Sequence, residues 1–504
     1  MQMMSAPQTG RQIIALMRYM MLILGAGLFA AGYLLSDCTC MLWGTIFVFI
    51  SNVFYGFAEG HTRFIYLFFH LSFFTFLITR PMIACFQGKA WWLDYSEPST
   101  ELALCLLIVS LLALRIGACI GDGILKRTDT GDTLKAPEPG YKADFRDTLA
   151  TIALIIFVIT IAASFAEEAE KLAFMNDRSY NEYFRSYESS LPYAVITLGS
   201  MAKYALCIFL AAMPKKRTAV IVLLVYVLNA VPMFIIGTRN PVILRLIFAI
   251  IYFIFRDVVH DREKWFGKFE KIIIIAATPA AVAFLGMYSF IRLGKTVTKG
   301  FGGSIVGFFY SQGVSFDTVR MIHYNLEKLP SSVGKNYTFG PFTDYILFGS
   351  IGHRLFGNPI IGNSNSVAKA VYGSSLAHSA MYGVFPERYL QGWGKGSSYV
   401  IENYLDWGFA GVFIFSLVLG AVLILMFHML KQGNTLVRTI VLVSLLGLFF
   451  APRAGATEWI SFLAYIQFWV LIIAVYLTAG LCTRKYSYDH KNRMIAAEGK
   501  RRYV

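Results

Sequence analysis

Runs of about twenty mostly apolar residues recur along almost the whole chain, and they constrain the fold more than any other feature. A hydrocarbon core about 30 Å thick is crossed by about 20 helical residues, and only helices or closed barrels satisfy their backbone hydrogen bonds there. Hydrophobic residues make up 57% of the chain and charged residues only 15%, which is a composition that does not suit a soluble globule. The sequence therefore predicts an all-α polytopic membrane protein.

Windows of roughly 17 to 25 mostly apolar residues predict about twelve transmembrane helices. Nine precede a long polar segment, at 16–35, 41–58, 64–79, 102–120, 149–166, 191–213, 218–237, 241–255 and 271–291. Three follow that segment, at 408–430, 437–451 and 459–481. The third, eighth and eleventh windows are short, so these helices are expected to be extended at their ends or partly broken.

This pattern divides the chain into a nine-span membrane region (1–291), a large loop (292–406), a three-span membrane region (407–481) and a basic tail (482–504). The loop is rich in Gly, Ser, Tyr and Phe. Such a composition favours short or re-entrant helices over the mouth of a cavity, where protein and water satisfy irregular backbone. The alternative for this loop is a purely structural lid.

The distribution of Lys and Arg sets the expected orientation. The short loops on the side of the N-terminus, together with the tail, carry most of these residues, and cytoplasmic loops are the ones enriched in them. Both termini are therefore expected in the cytoplasm and the large loop on the outer face. The net charge of +15 indicates contact with anionic membrane lipid rather than with nucleic acid. The seven cysteines lack the paired spacing of a metal site.

Isolated arginines fall at the predicted outer rim. Arg239 and Arg453 lie in short turns flanked by Pro and Gly, Arg292 caps the ninth window, and Arg245 lies inside the eighth. An arginine at membrane depth costs a few kcal/mol unless a partner or an aqueous cavity compensates, and its guanidinium group matches phosphate oxygens bidentately. The set indicates a site for a lipid-linked phosphate or diphosphate. The alternative is that each arginine extends to lipid headgroups.

A glycine- and serine-rich turn precedes the tenth window. Gly394, Gly396, Ser397 and Ser398 stand at the start of a predicted helix, where backbone N–H groups bind anions. Its glycine spacing is not that of a nucleotide-binding P-loop. Glu402, a few residues into the helix, is a candidate general base. The alternative for Glu402 is a helix-surface carboxylate paired with a cation.

The large loop contributes three further candidates. His353, Arg354 and His378 are placed where a histidine acts as a base or contacts phosphate near neutral pH. Lone histidines in loops are more often incidental, and that alternative stays open for both.

Four fragments in the second half of the chain resemble one family. They are Gly-Thr-Arg-Asn-Pro at 237–241, Ser-Gln-Gly-Val-Ser at 311–315, Gly-Lys-Gly-Ser-Ser at 394–398 followed by Glu402, and Pro-Arg at 452–453. Their order and the large outer loop resemble the Wzy-type O-antigen and capsule polysaccharide polymerases, which are related to the O-antigen ligases and class C glycosyltransferases. The first half resembles the family only in hydropathy and span count.

The resemblance implies a multi-pass enzyme of the bacterial inner membrane that joins repeat units carried on undecaprenyl pyrophosphate, with no cofactor. It implies that Arg239 and Arg453, supported by Arg292, neutralise the departing diphosphate, and that Glu402 or a histidine deprotonates the acceptor. Arg354 is a further candidate cation, and Gln312 would contact substrate with the glycine-rich turn. Arg245 is a cation that the family pattern does not require. The implied partners are membrane lipid, the lipid-linked oligosaccharide, a flippase and a chain-length regulator.

Three other classes compete with this interpretation. A transporter or flippase for lipid-linked sugars also suits twelve spans, but carriers built from two halves show internal repeats and none is visible here. An outer-face sugar transferase with acidic residues in its first outer loop, or a membrane acyltransferase, is the second class. Asp37 is the single acidic residue of the first outer loop, residues 36–40, which argues against a sugar transferase of that kind. A scaffold without chemistry is the third.

Overall fold

The computed structural model describes residues 8–128, 141–176, 178, 180–259, 264–268, 270, 284, 301–331, 333–362 and 364–501. Within these ranges the chain is mostly helical and contains no strand. The predicted ninth span (271–291) lies outside the described residues except for residue 284, and Arg292 lies outside them as well. The prediction from the sequence that the chain is an all-α polytopic membrane protein is therefore confirmed.

Ten helices precede residue 260: α1 Gln8–Leu34, α2 Cys38–Ala58, α3 Phe64–Phe86, α4 Glu97–Thr128, α5 Tyr141–Phe174, α6 Tyr180–Ser186, α7 Tyr193–Ala211, α8 Lys216–Leu228, α9 Val231–Ile236 and α10 Asn240–Val258. Ten more follow residue 300: α11 Phe301–Gln312, α12 Val314–Tyr324, α13 Gly340–Phe348, α14 Ser350–Phe356, α15 Val367–Val371, α16 Leu376–Val384, α17 Pro386–Leu390, α18 Tyr399–Gln432, α19 Thr435–Leu448 and α20 Ile466–Arg501. One turn of α3, Phe74–Ile78, is a π-helix.

Nine helical segments in the described part of the chain are long and apolar enough to cross a membrane. They include α1 to α5, α7, the combined α8 and α9, α18 and the first part of α20. Helix α19 is apolar but shorter, and α10 coincides with the predicted eighth span. The total of twelve spans stays a prediction.

Helix α18 is a hairpin of two legs. At Trp407 and Gly408 the backbone leaves helical geometry, and Gly408 has φ +62°, a left-handed conformation that favours glycine. The first leg runs back along the second, because the Tyr399 and Phe415 ring centroids are 5.8 Å apart. The Tyr399 hydroxyl also lies 2.6 Å from the Ser110 hydroxyl in the middle of α4. Residues 399–406 therefore turn back into the helical bundle, and we call them the re-entrant leg; the position of this leg in the membrane stays a prediction.

Helix α4 packs along the second leg of α18 at very short distance. A Cβ built on Gly420 would clash with the Leu114 carbonyl, and one on Gly117 would clash with the Leu417 carbonyl. Small residues permit this approach of two backbones, and close packing is a main source of helix association in lipid. The α4–α18 pair thus fixes the re-entrant leg against the bundle.

The short helices of residues 301–398 pack against one end of the bundle, here called the loop end. His323 of α12 lies 2.9 Å (Nδ1) from the Ser99 hydroxyl at the start of α4. Arg320 donates to the Trp91 carbonyl at 2.6 Å. The Tyr345 hydroxyl of α13 accepts the Ile466 N–H at 3.1 Å. The described part of the loop is therefore attached to the membrane helices at several points.

Candidate functional site

The turn between α19 and the segment Glu458–Ala464 is bound to the glycine- and serine-rich turn that precedes α18. Ser397 N–H donates to the Arg453 carbonyl at 3.3 Å, and Tyr399 N–H donates to the Ala451 carbonyl at 3.2 Å. Gly396 has φ +81°, and a Cβ there would lie 3.0 Å from the Arg453 carbonyl oxygen. Only glycine combines this backbone conformation with this contact at low cost. We call residues 451–456 the arginine turn.

The Arg453 side chain is half-buried within this arrangement. Its Nη1 donates to the Gln312 carbonyl at 2.9 Å, and its guanidinium carbon lies 5.7 Å from the centre of the Phe76 ring. Desolvation, followed by the nearby positive charge of Arg239, lowers the pKa of Arg453 to about 10. It forms no ion pair within the part of the chain that the structure describes. This guanidinium group can therefore accept an anionic ligand.

Arg239 lies in the turn between α9 and α10, and its side chain also extends to α11. It follows the end of α9, where Thr238 N–H donates to the Met233 carbonyl at 2.8 Å, and it immediately precedes α10. Its guanidinium carbon lies 5.7 Å from the centre of the Phe308 ring of α11. On α11, Phe308 beside Arg239 and Gln312 beside Arg453 are one helical turn apart, so the two cations lie near each other at the loop end. The two arginines come from turns more than two hundred residues apart.

A cavity of about 320 Å³ lies between α7, α10, α19 and the segment Glu458–Ala464. We call it the Lys203 cavity. Its polar lining includes Lys203, Arg245 and Glu458, and its apolar lining includes Pro241 and Phe450, which flank the turns of Arg239 and Arg453. Arg245 also donates to the Asn229 side chain at 2.9 Å and stacks at 4.2 Å on the Tyr226 ring. Part of its charge is therefore already compensated by protein groups.

Two carboxylates adjoin the arginine turn, and they differ in access. Glu402 is only 3% exposed, and its Oε2 accepts the Ala456 N–H at 2.7 Å. Glu458 is exposed and lines the Lys203 cavity. Desolvation by the surrounding protein raises the pKa of Glu458, and the charge of Lys203 acts in the opposite direction. A substrate in the cavity would meet Glu458 directly.

The other residues predicted around the glycine-rich turn have different environments. The hydroxyls of Ser397 and Ser398 are buried, and the Ser398 hydroxyl has no hydrogen-bond partner among the described residues. Gln312 is 3% exposed and contacts Arg453 through its backbone. A Cβ on Gly394 would meet nothing within 4 Å, so no close approach explains that glycine.

Among the described residues, no contact joins His353, His378 or Arg354 to Arg239 or Arg453. His353 and Arg354 are exposed on α14, and His353 Nδ1 lies 2.8 Å from the Asn358 carbonyl. His378 Nδ1 lies 3.0 Å from the Tyr389 hydroxyl. Burial, followed by the charge of Lys369, lowers the pKa of His378 to about 3. His378 is therefore neutral at physiological pH.

Lys203 and Glu458 are the two residues that sequence reasoning missed. Lys203 is a single lysine inside the predicted sixth span, and a charge at membrane depth is by itself an indication of a functional site. Glu458 lies at the edge of the predicted twelfth span. A carboxylate is common there because the polar interface of the membrane is close, so its position alone does not indicate a site. Their common cavity could not be read from the spacing of the sequence.

The fold and these residues define a polytopic membrane protein with a cation-rich site at the end of its helical bundle that carries a large loop. The family model for the O-antigen polysaccharide polymerase Wzy matches residues 17–486. The chain therefore belongs to the Wzy O-antigen polysaccharide polymerase family, as the sequence fragments predicted, and is a membrane enzyme of the polymerase class. No curated protein matches the chain. No solved structure matches it either.

Proposed function

We propose that this chain lengthens a glycan by joining lipid-linked oligosaccharide repeat units at the outer face of the bacterial inner membrane, with both of its termini in the cytoplasm. The donor is a glycan on undecaprenyl pyrophosphate, and the acceptor is a hydroxyl group of an incoming lipid-linked repeat unit. The bond between the anomeric carbon and the diphosphate oxygen breaks, and a bond from that carbon to the acceptor oxygen forms. The acceptor proton passes to a protein base.

One observation carries this proposal: Arg239 and Arg453 contact the same helix, α11, one turn apart, and a neighbouring cavity adds Lys203 and Arg245. Negative charge develops on the departing diphosphate. Fixed cations in a poorly hydrated site stabilise such charge most where water is excluded. Guanidinium groups also match the oxygens of a diphosphate in geometry. The loss of one such donor costs on the order of 3 kcal/mol, or about a hundredfold in rate.

For the base, the geometry supports Glu458 over Glu402. Glu458 faces the Lys203 cavity, where a substrate can reach its carboxylate, and desolvation raises its pKa, which strengthens it as a base. The Glu402 carboxylate is covered by the arginine turn, and its bond to Ala456 N–H fixes that turn. The prediction that Glu402 itself takes the proton is tested by the glutamine variants discussed below.

The proposal is tested by giving purified full-length protein a defined undecaprenyl-pyrophosphate-linked repeat unit and separating the products by size. A ladder of longer lipid-linked glycans is expected, without nucleotide or metal supplied. Arg239→Ala and Arg453→Ala should each reduce ladder formation about a hundredfold. Arg354→Ala is the comparison variant, because this exposed arginine has no described contact with the pair. A ladder of unchanged rate in both site variants would refute the arginine assignment.

The same assay separates a polymerase from a carrier. A transporter or flippase would move the lipid-linked glycan without lengthening it, so wild-type protein that gives no ladder would remove the polymerase proposal. The flippase and the chain-length regulator implied by the resemblance stay predictions, and co-purification from native membranes would test them.

A further inference from the structure

A second and larger cavity, of about 600 Å³, opens at the tip of the α18 hairpin. We call it the Trp407 cavity. One wall is formed by residues of the large loop between 326 and 331 and by residues 335–337, and the other comprises Leu405, Asp406 and Trp407. Ligand-binding pockets commonly have volumes of about 300–1,000 Å³. The cavity is therefore large enough for a small oligosaccharide segment.

The tip of the hairpin is held by specific contacts. Asp406 accepts the backbone N–H of Tyr337 at 3.1 Å and that of Thr338 at 2.7 Å through its two carboxylate oxygens. The reversal at Gly408 leaves the Trp407 side chain 47% exposed, with its ring 6.0 Å from that of Phe339. An aromatic side chain held open beside a cavity is a rigid surface on which a ligand can pack.

The lining of the Trp407 cavity suits a hydroxyl-rich ligand of low charge. It combines an indole ring with a hydroxyl from Ser331, the amide of Asn336 and one carboxylate, Asp406. Its one ammonium group, on Lys335, already donates to the Ala370 carbonyl at 3.2 Å. A diphosphate would require several uncompensated cations. Leu326, Leu329 and Leu405 also line the cavity, but an acyl chain would leave the polar groups of the lining without partners. Sugar rings present both hydroxyls for the polar groups and C–H faces for the indole ring.

The Trp407 cavity is connected to the arginine turn through the backbone. The Thr457 hydroxyl donates to the Thr338 carbonyl at 2.6 Å, and Thr457 directly precedes Glu458. On the other wall, Asp406 lies about one helical turn beyond Glu402 on the re-entrant leg. The segment that carries Arg453 and Glu458 is therefore bound to the residue that follows one wall of the Trp407 cavity.

We propose that the Trp407 cavity binds pyranose rings of a lipid-linked substrate while the arginine pair holds its diphosphate. This assignment rests on the proposed function, and it names a separate glycan subsite for it. Trp407 packs on the C–H face of a sugar ring, and Ser331, Asn336 and Asp406 contact its hydroxyl groups.

The test is a binding measurement that needs no catalysis. The probe is the repeat-unit oligosaccharide released from its lipid carrier, titrated onto the full-length protein in lipid nanodiscs and followed by saturation-transfer NMR. Trp407→Ala should weaken binding about tenfold or more, because the stacking surface is lost. Ser331→Trp, at an exposed position on the wall, should block the cavity, and it removes one exposed hydrogen bond, from Val333 N–H to the Ser331 hydroxyl at 3.3 Å. Tyr372→Ala is the control, because Tyr372 is an exposed aromatic residue of the same loop that does not line the cavity.

Failure of this inference is distinguishable from failure of the proposed function. If both cavity variants bind the released oligosaccharide as the wild type does, the glycan subsite is refuted even when the protein makes a ladder. If the variants lose binding while Arg453→Ala retains it, the subsite is supported even when the ladder assay fails. Competition of the free oligosaccharide against each lipid-linked substrate then shows whether the subsite holds the donor or the acceptor glycan.

Discussion

The guanidinium group of Arg453 donates a hydrogen bond at 2.9 Å to the backbone carbonyl of Gln312, 141 positions earlier in the chain. This bond connects the arginine turn between the last membrane helices to the end of α11 in the large loop. The hydrogen bond from Nη1 to Gln312 fixes the orientation of the planar guanidinium group, and it therefore also fixes the directions of the other N–H groups of Arg453. Arg453 is therefore fixed before an anion arrives, which lowers the cost of binding in the transition state.

Arg453→Lys is expected to lose most of the activity although it keeps the charge. An ammonium group cannot donate both to Gln312 and, in a planar fork, to diphosphate oxygens. We expect a decrease in kcat/KM of about tenfold or more, against about a hundredfold for Arg453→Ala, measured with the lipid-linked substrate. Gln312→Leu is the control, because its backbone carbonyl is the acceptor. If that variant loses as much activity as Arg453→Ala, the Gln312 side chain contacts substrate, as the sequence predicted.

Gly396→Ala is expected to impair activity by displacing the arginine turn. A Cβ at this position would lie 3.0 Å from the Arg453 carbonyl, on a backbone with φ +81°. A non-glycine residue in this region costs on the order of 1–3 kcal/mol. Gly394→Ala, two residues earlier, is the matched control, because its Cβ would meet nothing within 4 Å. The ladder assay should show a slower rate for Gly396→Ala than for Gly394→Ala, and equal rates would contradict the packing described here.

The sequence predicted the helices well and the site only in part, for physical reasons. Long apolar windows determine membrane helices because the bilayer imposes their length, so the predicted spans outside 271–291 correspond to described helices. Arg239 and Arg453 were recognisable because Pro and Gly confine each to a short turn. The occlusion of Glu402 depends on the arginine turn folding over it, and the Lys203 cavity depends on four separate segments. Such long-range contacts leave no periodic pattern in the sequence.

Asp317→Asn is expected to destabilise the loop end. Asp317 is 6% exposed and binds Arg80 through one oxygen and Arg320 through the other, each at 2.5 Å. Arg320 is 1% exposed. Removing a close negative partner of a buried arginine typically costs about 3–5 kcal/mol, and Arg320 would be left with the more distant Asp94, at 3.6 Å. A decrease of several degrees in the midpoint of thermal denaturation in detergent is therefore expected.

The control for Asp317→Asn is Asp147→Asn. The Asp147 side chain is 82% exposed and lies 4.0 Å from Arg146, and exposed pairs of this kind contribute about 0–1 kcal/mol. Its denaturation midpoint should match that of the wild type. Equal midpoints for both variants would show that the Asp317 cluster does not hold the loop to α3 and α4.

The pH dependence of polymerisation should distinguish the two carboxylates. Desolvation raises the pKa of Glu458, and a base acts only when deprotonated. The rate should therefore fall as the pH decreases through this raised pKa, above the value of about 4.3 that is usual for glutamate. Glu458→Gln should lower kcat about a hundredfold and remove this acidic limb. Glu402→Gln retains an oxygen that can accept the Ala456 N–H, so the limb should persist and the denaturation midpoint should change little. The reverse pattern, with the limb lost only in Glu402→Gln, would identify Glu402 as the base and leave Glu458 a lining residue of the cavity.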